Sequence, residues 1–327
     1  MFFNAENWTT SELNEIIPVS SALSYEKMES SLMSADDLFL LPLLGTEMMT
    51  RAAAIMTKEN PSEVEKTLLR WLRIAEINLA MWYNFDELQL RFTDQGWQRQ
   101  TTENFTSPYK YQEDQLRNNF KNKGMNALDQ LLQLLEMRIG QFPEFRSSSA
   151  YIEKTSGFVQ STSDVQRVYF INDSRLVFLR LRPVIHEVEN TQLPYLIGER
   201  LYEAMRSKLA QNARSEAIGD TTVEEFRLRC VDYIVMKAVA QLVRQTGSIT
   251  DRGLYFENVS KAGESGDEQT AAGSARAAAT AANAEQSALT YLNSLQNFIM
   301  YHLSDYFGGR ESDVFKRDNL NKHSVWL

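Results

Sequence analysis

The sequence predicts a mainly α-helical protein with two tandem copies of one small helical-bundle domain, each with a short β-hairpin or loop. Three segments return in the same order at nearly one spacing: residues 10–17 as 162–169, residues 43–48 as 196–201, and residues 92–97 as 249–254. Self-similarity at a nearly fixed spacing indicates duplicated structure. The spacing is too long for a solenoid unit, so we expect two domains.

Chain length agrees with this division. The 327 residues suit two domains of about 150 residues each. The predicted domains are residues 1–148 and 149–308, followed by a C-terminal extension over 309–327. Hydrophobic residues make up 43% of the chain, which is enough for each half to bury a core.

Apolar residues at helical spacing predict four helices in the first repeat, after an entry segment that we interpret as a short strand or loop. These helices are residues 23–40, 46–58, about 60–90, and 113–137. Pro42 and Gly45 are expected to separate the first two. The pair Asn60-Pro61 is expected to begin the long third helix, with Pro at its first position.

The second repeat follows the same order. Pro194 and Gly198 mark the corner, and a capping box from Thr222 to Glu225 is expected to open the long helix. Residues 262–283 are an Ala/Gly-rich insertion without a counterpart in the first repeat. Its Ala-rich half is compatible with an extension of the last helix, and its Gly-rich half with a surface loop.

Between the long helix and the last helix, each repeat contains a predicted hairpin tip. Thr-Asp-Gln-Gly at 93–96 and Thr-Asp-Arg-Gly at 250–253 have the composition of tight turns, in which Gly can adopt a positive φ. We expect the tips and the apolar end of the C-terminal extension to contact subunits or partners. The candidate interface residues are Thr93, Asp94, Gly96, Trp97, Thr250, Asp251, Gly253, Val325, Trp326 and Leu327.

Catalytic, cofactor-binding and metal-binding motifs are not found in the sequence. The three histidines stand alone, no Cys-x-x-Cys pair exists, and no glycine-rich phosphate loop or Gly-x-Ser-x-Gly elbow occurs. Asp36-Asp37 and Glu224-Glu225 are interpreted as acids near helix starts, and Cys230 as a core residue. We therefore predict no catalytic residues, no cofactor and no metal, and an enzyme is the least favoured of three function classes.

Net charge and hydropathy limit the classes of binding partner that we expect. The net charge is −9, whereas proteins that grip a phosphate backbone need clustered Lys and Arg. Stable DNA or RNA binding is therefore not expected. No stretch of about 18 unbroken apolar residues occurs, and the N-terminus lacks the features of a signal peptide, so we expect no membrane association.

The order of elements resembles the head–tail connector (adaptor) family of tailed double-stranded DNA phages. The features that carry this resemblance are the Leu-Leu-Gly corner at 43–45 and the Leu-Ile-Gly corner at 196–198, each followed by a helix. The resemblance covers residues 8–138 and 160–307. Members of that family are commonly one such domain, and here the set occurs twice.

The resemblance implies a virion structural protein of the phage neck, assembled in the host cytoplasm. Its subunits would form a closed ring of about 12 copies through head-to-tail contacts. The ring would lie beneath the portal protein, dock tail or tail-completion proteins, and let DNA pass through its lumen without specific binding. The alternative is a non-enzymatic cytosolic helical scaffolding or regulatory protein of a prophage or bacterium, acting as a dimer.

Overall fold

A computed structural model of the chain describes residues 2–4, 8–17, 24–88, 90–93, 96–99, 110–148, 151, 157–212, 221–246 and 266–303. The chain forms two compact units. The first comprises residues 1–153 with 174–176, and the second comprises residues 154–173 with 177–327. The units therefore divide five residues from the predicted boundary at 148.

The regular elements in the described part of the first repeat are helices and one hairpin. In chain order its elements are α1 (Thr10–Asn14), α2 (Tyr25–Ala35), the π-helix π1 (Asp36–Leu40), α3 (Leu41–Met56), α4 (Glu63–Tyr83), α5 (Phe85–Leu88), β1 (Leu90–Thr93), β2 (Gly96–Arg99), α6 (Lys110–Met137) and α7 (Pro143–Arg146). The long helices α4 and α6 pack against each other, and α2 packs on α4.

The described part of the second repeat has a similar succession of helices, in which two shorter helices take the place of α3. Its elements are α8 (Thr162–Val168), α9 (Arg175–Glu187), the π-helix π2 (Val188–Gln192), α10 (Leu193–Ile197), α11 (Glu199–Asn212), α12 (Thr221–Thr246), α13 (Gly266–Phe298) and the π-helix π3 (Ile299–Leu303). Here α12 packs against α13, as α4 packs against α6. The fold class predicted from the sequence is thus confirmed as mainly helical.

One glycine forms the corner of each repeat. Gly45 has φ +77° and ψ 160°, and Gly198 has φ +88° and ψ 132°. A side chain with a Cβ rarely adopts this region, so the chain changes direction at both positions. We expected Pro42 and Pro194 to help end the preceding helices, but they do not. They lie in the first turn of α3 and α10, where a missing N–H costs least.

Each repeat buries apolar side chains of its own around its pair of long helices. In the second repeat the core contains buried aromatic and aliphatic side chains from α9, α12 and α13, with Phe226 and Ile234 of α12 fully buried. Cys230 is also fully buried and unpaired by any disulfide, as predicted.

The entry segments of the two repeats are helices, not the strand or loop that we expected. Thr9 accepts a hydrogen bond from the backbone N–H of Glu12, and Ser161 accepts one from the N–H of Asp164. These hydroxyls satisfy N–H groups that a helix start leaves unpaired. The sequence analysis did not recognise Thr9 and Ser161 as helix N-caps.

Two other helix starts differ from the prediction. The N-cap of α4 is Ser62, which forms a capping box with Glu65, whereas Asn60-Pro61 lies outside the helix. Helix α12 begins at Thr221, one residue before the start predicted from the Thr222–Glu225 capping box. The last helix starts at Gly266, so the Ala-rich part of the insertion extends it.

The segment Tyr25–Met56 is long and apolar enough to cross a membrane by length and composition, with a mean hydropathy of 1.3. Its helix is broken at Gly45. One side of it is buried within the first unit, through residues that include Met28, Leu32 and Met48. A core helix of a soluble domain passes the same test of length and composition.

Candidate functional site

The predicted hairpin of the first repeat is present. Strands β1 and β2 pair antiparallel, with Phe92 opposite Trp97 and Thr93 opposite Gly96. Gly96 is therefore the first residue of β2 and pairs with Thr93, whereas we expected it to lie in the turn itself.

The described part of the chain has this two-stranded sheet and no third strand beside it. A two-stranded sheet is at best marginally stable in water without further strands or a packing surface. Of the candidate interface residues, the structure brings together Thr93, Gly96 and Trp97. Asp94 lies outside the described residues, as do Thr250, Asp251, Gly253, Val325, Trp326 and Leu327.

A buried polar cluster that the sequence analysis missed holds the entry of the second repeat. The Arg227 guanidinium on α12 donates to the carbonyl of Phe158 at 2.8 Å and pairs with Asp164 of α8 at 3.1 Å. The carboxylate of Glu189 in π2 accepts the backbone N–H of Val159 at 2.9 Å. We call this set, Arg227, Asp164 and Glu189 around Phe158 and Val159, the repeat-2 clamp.

The first repeat has a matching cluster. The Arg73 Nε on α4 donates to the carbonyl of Phe2 at 3.3 Å, and its guanidinium pairs with Glu12 of α1 at 3.6 Å. The N–H of Phe2 donates to the carboxylate of Glu76 at 2.9 Å. We call this the repeat-1 clamp. Arg73 and Arg227 are 154 residues apart, and Glu12 and Asp164 are 152 apart, which matches the spacing of the repeats.

Two clamp carboxylates, Glu76 and Glu189, lie in environments that disfavour their charge. Burial, and then the charge of the neighbouring Asp36, raise the pKa of Glu76 well above its ordinary value. Burial also raises the pKa of Glu189, although the N–H of Val159 and the charge of Arg182 oppose this. Asp36 is itself buried in π1, which corrects our interpretation of it as an acid near a helix start.

Perturbed carboxylates of this kind occur both in active sites and in structural networks. Here the carboxylates of Glu76 and Glu189 bind backbone N–H groups of their own repeat. Burial also raises the pKa of the Cys230 thiol well above its ordinary value, which disfavours the nucleophilic thiolate. Within the described residues, no group of three or more His, Cys, Asp or Glu side chains is arranged to hold a metal ion.

The second unit has an open groove of about 370 Å³ between the π2–α10 corner and helices α12 and α13. Its lining is largely aromatic and aliphatic, with Thr191, Gln192, Lys237 and Glu285 as polar groups; the other lining residues are Tyr195, Leu196, Tyr233, Ala288, Leu289 and Leu292. We call it the corner groove. Concave, mostly apolar surfaces with a few polar groups are typical of binding sites.

Two large apolar side chains at the corner groove are exposed to solvent. Tyr195 is 90% exposed and Leu289 is 48% exposed. Tyr233 at the floor donates its hydroxyl to the amide oxygen of Gln192 at 3.3 Å, and burial raises its pKa to about 12. The Lys237 ammonium pairs with Glu285, which also contacts Arg244 at 3.3 Å.

The corresponding residue in the first repeat is aromatic. At the spacing of 153 that relates Gly45 to Gly198, Phe39 of π1 corresponds to Gln192. The Phe39 ring packs on Trp82 at 5.7 Å and on Tyr83 at 5.9 Å between ring centroids. The Lys121 ammonium lies 5.2 Å from the Trp82 ring. Where the first repeat inserts its own aromatic ring, the second repeat has an amide and an open groove.

Comparison with known proteins gives one family. A profile described as a family of unknown function, DUF6712, matches residues 40–155 and, separately, residues 193–319. These two matches together cover most of the chain. The chain belongs to the DUF6712 family. No match was found among curated proteins or among solved structures.

The DUF6712 matches establish the duplication independently of the structure. Their first residues, 40 and 193, are 153 apart, which is the spacing of Gly45 and Gly198. Their last residues, 155 and 319, are 164 apart, so the second DUF6712 copy is longer. The Ala/Gly-rich insertion over 262–283 lies within that longer copy.

Proposed function

We propose that the protein is a structural subunit that assembles head-to-tail into a closed ring, as the head–tail connector beneath the portal of a tailed phage. The observation that carries the proposal is the hairpin of β1 and β2, which has two strands of four residues and no third strand in the described part of the chain. A partner that adds a strand or covers one face would stabilise it.

The corners of the two repeats support the same proposal. Gly45 and Gly198 adopt matching positive φ angles after the Leu-Leu-Gly and Leu-Ile-Gly sequences on which the resemblance rests. Exposed aromatic residues also occur in both repeats, with Tyr83 on α4, Phe170 after α8 and Tyr195 on α10. Aromatic residues are enriched at protein–protein interfaces and depleted from free surfaces.

The proposed ring is negatively charged overall, because each chain has a net charge of −9. A lumen of the same sign as DNA lets DNA slide without specific binding. The portal protein on one side and tail or tail-completion proteins on the other are the proposed partners, and the neck of the virion is the proposed location.

The test is the mass and shape of the purified protein, measured by mass photometry and by negative-stain imaging. We expect closed rings of about 12 subunits of 37.6 kDa each, free of bound nucleic acid by their absorbance ratio. A uniform dimer over the same concentrations would contradict the ring and favour the scaffolding or regulatory alternative.

A matched pair of variants ties the ring to the hairpin. Trp97→Ala changes the hairpin, and Tyr111→Ala removes an exposed aromatic side chain from α6. We expect Trp97→Ala to reduce assembly and Tyr111→Ala to leave it intact. Truncation after Gly309 tests the C-terminal extension with its Val325, Trp326 and Leu327, and we expect a folded chain that does not complete the head–tail joint.

A further inference from the structure

We propose that the corner groove of the second repeat receives the β1–β2 hairpin of a second copy of the chain, with Trp97 as the inserted residue. This inference rests on the self-assembly in the proposed function and names the two surfaces that meet. The donor belongs to the first repeat and the acceptor to the second, so the contact joins unlike surfaces of two identical chains.

The first repeat indicates what the groove is suited to bind. There, the place corresponding to Gln192 is taken by Phe39, whose ring packs on Trp82 and Tyr83. The repeated fold therefore accommodates an aromatic ring at this position. In the second repeat the residue is Gln192, which lines an open groove of about 370 Å³ that an aromatic ring of another chain can occupy.

The chemistry of the groove favours an indole. Leu196, Ala288 and Leu292 provide an apolar surface, and Tyr233 provides an aromatic one. The Lys237 ammonium also lines the groove, and in the first repeat Lys121 lies 5.2 Å from the ring of Trp82. A cation held near an aromatic face is favourable, most of all for Trp.

Two observations favour a second copy as the occupant. Tyr195 is 90% exposed and Leu289 is 48% exposed, so the apolar surface extends beyond the groove and suits a partner that covers a larger area. The hairpin on the first repeat has only two strands in the described part of the chain and needs such a surface. Each chain then has one donor surface and one acceptor surface, so the contact is heterologous. Repetition of such a contact produces a ring when the rotation between neighbouring subunits closes.

The first test fills the groove. Gln192→Phe places in the second repeat the residue that Phe39 provides in the first, and Leu289→Arg places a charge on the exposed rim. Gln115→Phe makes the same change as Gln192→Phe at an exposed position of α6. We expect both groove variants to keep the helical circular dichroism of the wild type and to weaken assembly by more than about tenfold, with Gln115→Phe unchanged.

The second test locates the contact. A benzoylphenylalanine photo-crosslinker at position 97 should form a product of twice the subunit mass, and mass spectrometry should map the crosslink to residues 191–196 or 285–292. A crosslink elsewhere in a ring-forming protein would overturn this inference and leave the ring intact. A monomeric crosslinked product would show that the groove is not occupied by a second copy.

The remaining outcomes separate this inference from the proposed function. A crosslink to the groove in a uniform dimer supports the groove contact and contradicts the ring. If a photo-crosslinker at position 326 maps to the groove and the one at 97 does not, the C-terminal extension is the occupant and our assignment of Trp97 is wrong. Wild-type assembly by both groove variants would exclude the groove as an interface.

Discussion

Arg227 of α12 pairs with Asp164 of α8 at 3.1 Å, and each side chain is 10% exposed. The same guanidinium donates to the Phe158 carbonyl at 2.8 Å. One buried cation thus ties the entry segment, the first helix and the long helix of the second repeat together, across 63 to 69 residues of sequence.

Arg227→Ala is expected to destabilise the second repeat by about 3–5 kcal/mol, because removing one partner leaves a buried carboxylate without its cation. Denaturant unfolding followed by circular dichroism measures this. Arg244→Ala is the control, since Arg244 is 57% exposed in its pair with Glu285 and should cost less than about 1 kcal/mol. Equal effects of the two changes would contradict the assigned role.

Gly198→Ala is expected to cost about 1–3 kcal/mol from backbone conformation alone, because φ is +88° and no atom lies within 4 Å of an added Cβ. The control is Gly140→Ala, which also meets no atom within 4 Å and has no positive φ. The difference in unfolding midpoint between the two variants measures the cost of the backbone conformation at Gly198. An unchanged midpoint for Gly198→Ala would show that the corner tolerates other conformations.

Glu65 should make the first repeat sensitive to acid. The Lys58 ammonium at 2.8 Å and the N–H of Ser62 at 2.7 Å lower the pKa of Glu65 from 4.5 to about 2. A lowered pKa in the folded state gives stability that is present above pH 4.5 and lost as the pH falls towards 2. The stability difference between wild type and Glu65→Gln should therefore shrink over that range.

A matched control for this acid titration is Glu63→Gln, because Glu63 pairs with Lys66 on the exposed side of the same helix turn. We expect this variant to follow the wild-type pH profile. If the difference between wild type and Glu65→Gln persists unchanged at pH 2, the bonds to Lys58 and Ser62 do not set the acid stability.

Glu189 should have the opposite effect on the pH profile of stability. Burial raises its pKa above 4.5, so the folded state binds a proton more tightly than the unfolded state. Its contribution is therefore fully present below pH 4.5 and is lost as the pH rises through the raised pKa. Glu189→Gln should flatten this decline in urea unfolding curves collected above pH 4.5, and an unchanged slope would contradict the assignment.

Gly96→Val should leave the helical cores folded and reduce assembly. Gly96 is paired with Thr93 beside the turn, and a β-branched side chain there changes the surface that the hairpin presents. Circular dichroism reports the helices and mass photometry reports the assembly. Loss of helical signal with assembly intact would refute a contact role for the hairpin.

Local signals in the sequence predicted much of the fold. Repeated landmarks located the two corners, and Thr-Asp-Gln-Gly located the hairpin of the first repeat. The π-helices π1 and π2 were missed because the chain stays helical on both sides of each, and no residue type marks the change of hydrogen-bonding pattern.

The clamps and the corner groove depend on contacts between residues distant in sequence. Arg227 reaches a carbonyl 69 residues away, and no local pattern distinguishes it from a surface arginine. The duplication was the sequence feature that could have revealed them, because alignment of the two copies places Arg73 with Arg227 and Phe39 with Gln192. Comparison of the two copies, residue by residue, would have identified both features.

The π-helices π1 and π2 lie at corresponding places in the two repeats. Such turns are rare, occur mostly as single-turn bulges inside α-helices, and are frequent at functional sites. Each copy has one a few residues before its corner glycine, Gly45 or Gly198. In both copies the helix therefore changes its winding just before the chain changes direction.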